Sequence, residues 1–109
     1  MTDTEEIFYT VDFKDVHTYF DVHDRLFEGL DLPNYYGANL DALWDCLTDD
    51  IGDIVHIDLK NYDDFEKMHK VYAEKVLHIF QKYKHCYNDK YYKNITIRVY
   101  RGDRMEELQ

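Results

Sequence analysis

At 109 residues, 17% of them aromatic, the chain has material for one modest core and is too rich in apolar side chains for a disordered segment. Its formal charge of −10 is lopsided: residues 1–59 carry two basic and fifteen acidic side chains, residues 60–109 eleven and eight. A first half so poor in Lys and Arg excludes a nucleic-acid backbone as ligand and favours a basic protein partner, with plain solubility as the alternative use of the charge.

The opening MTDTEE is polar and acidic, unlike a secretory signal, and no apolar run approaches membrane-spanning length. Ile7–Phe13 then alternates apolar residues with Thr10 and Asp12 and reads as a strand. Thr18 followed by Asp21 is an N-cap with a first-turn acid, and Tyr19, Val22, Leu26 and Leu30 recur at helical spacing until Gly29 and the Asp31–Pro33 segment end the helix. Asn39 caps a second helix, with Leu40, Leu43, Trp44, Leu47 and Ile51 on one stripe and Asp41, Asp45, Thr48 and Asp49 on another; Gly52 stops it. Ile54–Leu59 has the length and content of a strand and leads to a cap at Asn61 with acids at Asp63 and Asp64. The helical beat from Phe65 to Tyr87 is too long for one rod and is divided into two helices, with a break near Lys70–Ala73. Ile95, Ile97 and Val99 alternate in a last strand, and residues 103–109 are left as a flexible tail.

The order β-α-α-β-α(α)-β predicts a single α/β domain over 1–109: a small three-stranded parallel sheet packed with about four helices, on both faces or on one. The six histidines have no zinc-type spacing, and Cys46 and Cys86 have none either. No metal or cofactor is expected. The thiols are read as reduced and the chain as cytoplasmic, off the membrane, and monomeric because of its exposed acidic surface. Lys67, Lys70, Lys75, Lys82 and Lys84 are read as the solvated face of the late helices.

The most informative stretch is Leu32–Thr48, LPNYYGANLDALWDCLT. No Lys or Arg lies between Arg25 and Lys60, and Asp41 and Asp45 repeat one sign of charge a helical turn apart, forgoing the stabilisation of opposite i,i+4 pairs. Asp41 has a local use near the helix N-terminus, where the backbone is partly positive. Asp45, mid-helix among apolar neighbours, lacks one and is the residue that most needs an outside partner. Trp44 is equally at home in the core. Tyr35 and Tyr36 are two loop aromatics, of which either can point outward.

This stretch resembles the signature of the barstar family of intracellular barnase inhibitors. Pro33, Tyr35-Tyr36-Gly37 and Asn39 through Thr48 follow the family motif in order and without gaps, Val22-His23 and the ITI of Ile95–Ile97 extend the likeness, and the segment between Asp49 and Tyr92 is only loosely similar. The resemblance implies an inhibitor whose acidic helix stands in for RNA phosphates in a basic ribonuclease cleft. Asp45 would enter the catalytic centre, Asp41 would meet the positive cleft beside it, and Tyr35 would cover the catalytic histidine. Gly37 would admit a close backbone approach, Asn39 and Thr48 would add polar contacts, and Trp44 would belong to the same surface. Three departures stand out: Asp50 replaces a tryptophan of the family prototype, Lys82 replaces an acid on the late helix that also faces the ribonuclease, and the prototype's cis-proline has no counterpart, Pro33 being the one proline of the sequence.

An enzyme with Asp41 and Asp45 as an acid/base pair is the weaker reading. An exposed convex helix lacks a substrate-binding base, and the sequence has no nucleophile elbow or phosphate loop. The remaining alternative keeps the fold and changes the partner, making the chain a regulatory or immunity module for a different basic protein.

Overall fold

The computed structural model describes residues 6–49 and 53–109. Alternating apolar residues build its sheet. Strands β1 (Glu6–Asp12), β2 (Ile54–Lys60) and β3 (Asn94–Arg101) lie in parallel in that order, and their register stacks Tyr9, Ile57 and Ile97 in one inward row and Val11, Leu59 and Val99 in the next. The β1–β2 crossover carries helices α1 (Tyr19–Gly29) and α2 (Leu40–Leu47). The β2–β3 crossover carries α3 (Tyr62–Met68) and α4 (Lys70–Tyr91). Right-handed crossovers between strands added successively on one side put every helix on the same face. The other face is left to Phe8, Thr10, His56, Asp58, Thr96 and Arg98, which is why the middle strands alternate instead of reading as continuous apolar runs.

The expected three-stranded sheet is corrected to four. Arg104–Glu107 forms β4, antiparallel to β3, with Arg98 opposite Glu107 and Tyr100 opposite Met105. Gly102, at φ +58, opens the two-residue connection, a conformation natural to glycine. The segment expected as a loose tail is therefore tied down. Leu108 is buried, its N–H donates to the Ile97 carbonyl at 2.8 Å, and its own carbonyl accepts from Lys84 Nζ at 2.6 Å.

Local signals account for most element ends. Thr18 and Asp21 form a complete capping box, the Asp21 N–H reaching Thr18 Oγ1 at 3.0 Å and the Thr18 N–H reaching Asp21 Oδ2 at 3.2 Å. The helical break falls at His69, one residue ahead of the expected interval. Its extended backbone stops α3, and its Nδ1 accepts the Tyr72 N–H at 3.1 Å to cap α4. Asn61 is not the side-chain cap expected of it. It takes a left-handed conformation (φ 52, ψ 41) and its Nδ2 donates to Asp12 Oδ1 at 2.7 Å, tying the end of β1 to the start of α3. Ile51, Gly52 and the departure at Asp50 lie outside the described residues.

Gly29 ends α1 for a reason beyond conformation. A Cβ there would lie 2.5 Å from the Thr10 carbonyl oxygen and 2.8 Å from Val11 Cα. Backbone cannot yield cheaply, so Gly29→Ala is expected to cost about 2 kcal/mol, the middle of the range for overpacking. A chemical-denaturation midpoint lowered at unchanged m-value checks this.

Candidate protein-binding site

The loop entering α2 is held at both ends. Asp31 turns left-handed (φ 52) after α1, the Leu32 N–H donates to the Phe27 carbonyl at 3.0 Å, and the Tyr36 N–H donates to the Pro33 carbonyl at 3.0 Å. The left-handed position of the turn before α2 is Ala38 (φ 52), not Gly37. Gly37 is exposed, and a Cβ on it would come 3.3 Å from the Ala42 Cβ. Asn39 caps the helix: its Oδ1 accepts the Ala42 N–H at 2.8 Å, and its Nδ2 donates to the Gly37 carbonyl at 3.3 Å. That pair of bonds fixes the direction in which α2 leaves the loop.

Below the loop, His23 is buried and spans two tyrosines, with Nδ1 2.6 Å from the Tyr36 hydroxyl and Nε2 2.7 Å from the Tyr72 hydroxyl. Tyr36 therefore points inward and anchors the loop on α1 and α4, while its neighbour Tyr35 is 76% exposed. Burial holds the His23 imidazole below its ordinary value of 6.5, which keeps it neutral at pH 7. The native chain then binds fewer protons at this site than the unfolded chain. The stability this gives is present above pH 6.5 and is lost as pH falls through and below that value. The expected result is a lower Tm at pH 5.5 than at pH 7.5, with a flatter profile in His23→Gln.

α2 packs Leu43 and Leu47 into the core and leaves Asp41 and Asp45 exposed on its outer side, one turn or about 6 Å apart. Among the described residues neither carboxylate makes a hydrogen bond or an ion pair. Trp44 is half-buried, with its ring packed against the core and the Lys82 ammonium 4.8 Å from its centroid. Thr48 closes the helix, its Oγ1 donating to the Trp44 carbonyl at 2.8 Å, so its hydroxyl proton is used within α2. Cys46 sits half-buried beside them. Burial, and then the carboxylates of Asp45 and Asp49, push its thiol up, leaving it protonated and unreactive.

Asp41, Trp44 and Asp45 thus share one groove of about 510 Å³ with Leu40 and, from α4, His78, Ile79 and Lys82. Tyr35, Gly37 and Asn39 lie on the loop that leads into α2, and Thr48 caps its far end; none of the four is among the residues lining this groove. Lys82 fits both sequence readings, a lysine on the exposed side of the late helix and, through the family resemblance, a residue on the partner-facing side; its contact with the Trp44 ring is what the sequence does not show. Nothing at a separation of 38 residues signals that it lies over Trp44.

A family model described as Barstar (barnase inhibitor) matches residues 7–99, from β1 to within two residues of the end of β3. The chain belongs to the barstar family. Within curated proteins it is 41% identical over 71 residues to "Putative ribonuclease inhibitor YrdF" of Bacillus subtilis (strain 168), an alignment covering 65% of this chain and 75% of that protein. The barstar-family match spans both crossovers, so it includes the acidic helix and the α4 wall opposite it. Among the described residues no helix is long and apolar enough to cross a membrane.

Proposed function

We propose that this barstar-family chain is a cytoplasmic inhibitor that plugs the active site of a basic, extracellular-type ribonuclease with α2. The observation that carries the reading is the pair of exposed carboxylates, Asp41 and Asp45, on a capped helix, without an ion-pair partner among the described residues. A ribonuclease cleft is lined by Arg, Lys and His to hold phosphates. Carboxylates fixed a turn apart accept the same charge-assisted hydrogen bonds without any reorganisation of the helix. Asp45, at the helix centre, is the group that enters deepest. Asp41 meets the cation rim, Tyr35 reaches over from the loop, and Asn39, Gly37, Trp44 and Thr48 shape the surface around them. No step of catalysis is required of the chain itself.

Titration of the purified chain against a panel of basic microbial ribonucleases, barnase among them, tests this. Stoichiometric inhibition of at least one enzyme is expected, with association slowing as salt screens the long-range attraction. Inhibition unchanged in a folded Asp45→Ala chain overturns the reading. The second reading, a barstar-like regulatory or immunity module for another basic protein, is favoured by the position of Lys82, which places a cation beside the acidic helix.

A further inference from the structure

The groove beside Asp41 and Asp45 continues along α4. A second hollow, running from Leu40 past Ile79 to Val71, shares three residues with it, so one trough separates α2 from α4. Leu40, Val71 and Ile79 give it an apolar lining, and charged side chains stand along both sides. Asp41 and Asp45 stand on the α2 side. On the α4 side stand Lys75, His78 and Lys82, aligned at spacings of three and four residues, together with the acid Glu74. The walls do not neutralise each other. Lys82 lies over the Trp44 ring, and among the described residues it has no carboxylate within ion-pair distance although Asp41 and Asp45 line the same groove.

A surface meant for a uniformly cationic cleft gains nothing from a lysine held beside its carboxylates, because like charges brought together at an interface are strongly disfavoured. We infer that Lys82 is a specificity-determining residue of this surface, selecting ribonucleases whose basic cleft is bordered by a carboxylate. The partner would place its cations against α2, an apolar side chain on the trough floor, and its rim carboxylate against Lys82. The Trp44 ring holds the ammonium in place before the partner arrives, which limits the side-chain ordering that binding must impose. Rejection of all-basic enzymes is then a built-in function of α4, separate from the attraction exerted by α2.

This inference rests on the reading of α2 as a ribonuclease plug, and the test separates the two. Inhibition constants are measured for the wild-type chain, Lys82→Glu, Lys82→Gln and Asp45→Ala against basic ribonucleases grouped by whether a carboxylate borders the cleft, with circular dichroism confirming the fold of each variant. Lys82→Glu is expected to inhibit enzymes with all-basic rims about tenfold more tightly and carboxylate-rimmed enzymes about tenfold more weakly, with Lys82→Gln between, the scale of a close interfacial charge pair. Changes below twofold in both groups, or shifts of the same sign in both, overturn the selector role; if Asp45→Ala still abolishes inhibition, the plug stands without it. Wild-type inhibition by Asp45→Ala, or no inhibition by any of the four chains, overturns both.

Discussion

Asp45→Ala is expected to fold as the wild type and to inhibit at least about 100-fold less tightly, since truncating one partner of a buried interfacial charge pair costs roughly 2–5 kcal/mol. The family's prototype complex is among those from which that range is drawn. The fold is spared because the Asp45 side chain is exposed and makes no ion pair among the described residues. Removing a like charge from the i,i+4 pair with Asp41 even helps α2 by a few tenths of a kcal/mol. Asp41→Ala is expected to lose less, because that residue meets the rim and not the centre. The ratio of the two inhibition constants, measured on one enzyme at fixed salt, therefore reports depth of insertion. Equal losses would place both carboxylates at the same depth and would contradict a plug led by Asp45.

The largest effect on stability is expected at Tyr62. It is fully buried at the start of α3, edge-on to Phe13 and tilted against Phe65, and its hydroxyl donates to the Ala73 carbonyl at 2.5 Å. This one side chain joins β1's exit, α3 and α4. Tyr62→Ala should cost about 3–5 kcal/mol through lost burial and a cavity that close-packed neighbours cannot fill. Tyr62→Phe keeps the packing and removes only the hydrogen bond, for about 1 kcal/mol. Urea denaturation of both variants separates the terms. A loss in Tyr62→Phe as large as in Tyr62→Ala would mean that the hydroxyl, not the ring, holds the junction.

Local chemistry made much of this molecule legible in advance. Thr18 and Asp21 lie three residues apart and bond to each other, Asn39 caps the helix that follows it, and the apolar beat from Phe65 onward does break close to the expected place. The acidic helix was readable for the same reason, since a stripe of like charge is a property of a few neighbouring residues. What escaped depends on distance or on an absent pattern. His23 meets Tyr36 across 13 residues and Tyr72 across 49, and Lys82 meets Trp44 across 38. β4 has no alternation to detect, because all four of its residues are exposed and its only local mark is the Gly102-Asp103 pair. Asn61 looked like a cap because asparagine so often is one. Here the same readiness for local bonding was spent on a left-handed backbone and a bond to Asp12. The Thr48 hydroxyl hydrogen has its acceptor inside α2, so a polar contact from Thr48 to a partner would be one that its oxygen accepts.

The short β4 also governs how the chain behaves among copies of itself. It borders β3, whose residues Ile95, Ile97 and Val99 are all buried, and it is brief and charged, with Arg104, Glu106 and Glu107. A chain cut after Arg101 would leave the β3 backbone as a bare template on which another copy could pair, the usual first step toward aggregation. The last eight residues therefore act as a guard on the sheet's flank, and any tag or truncation at that end should be designed around them.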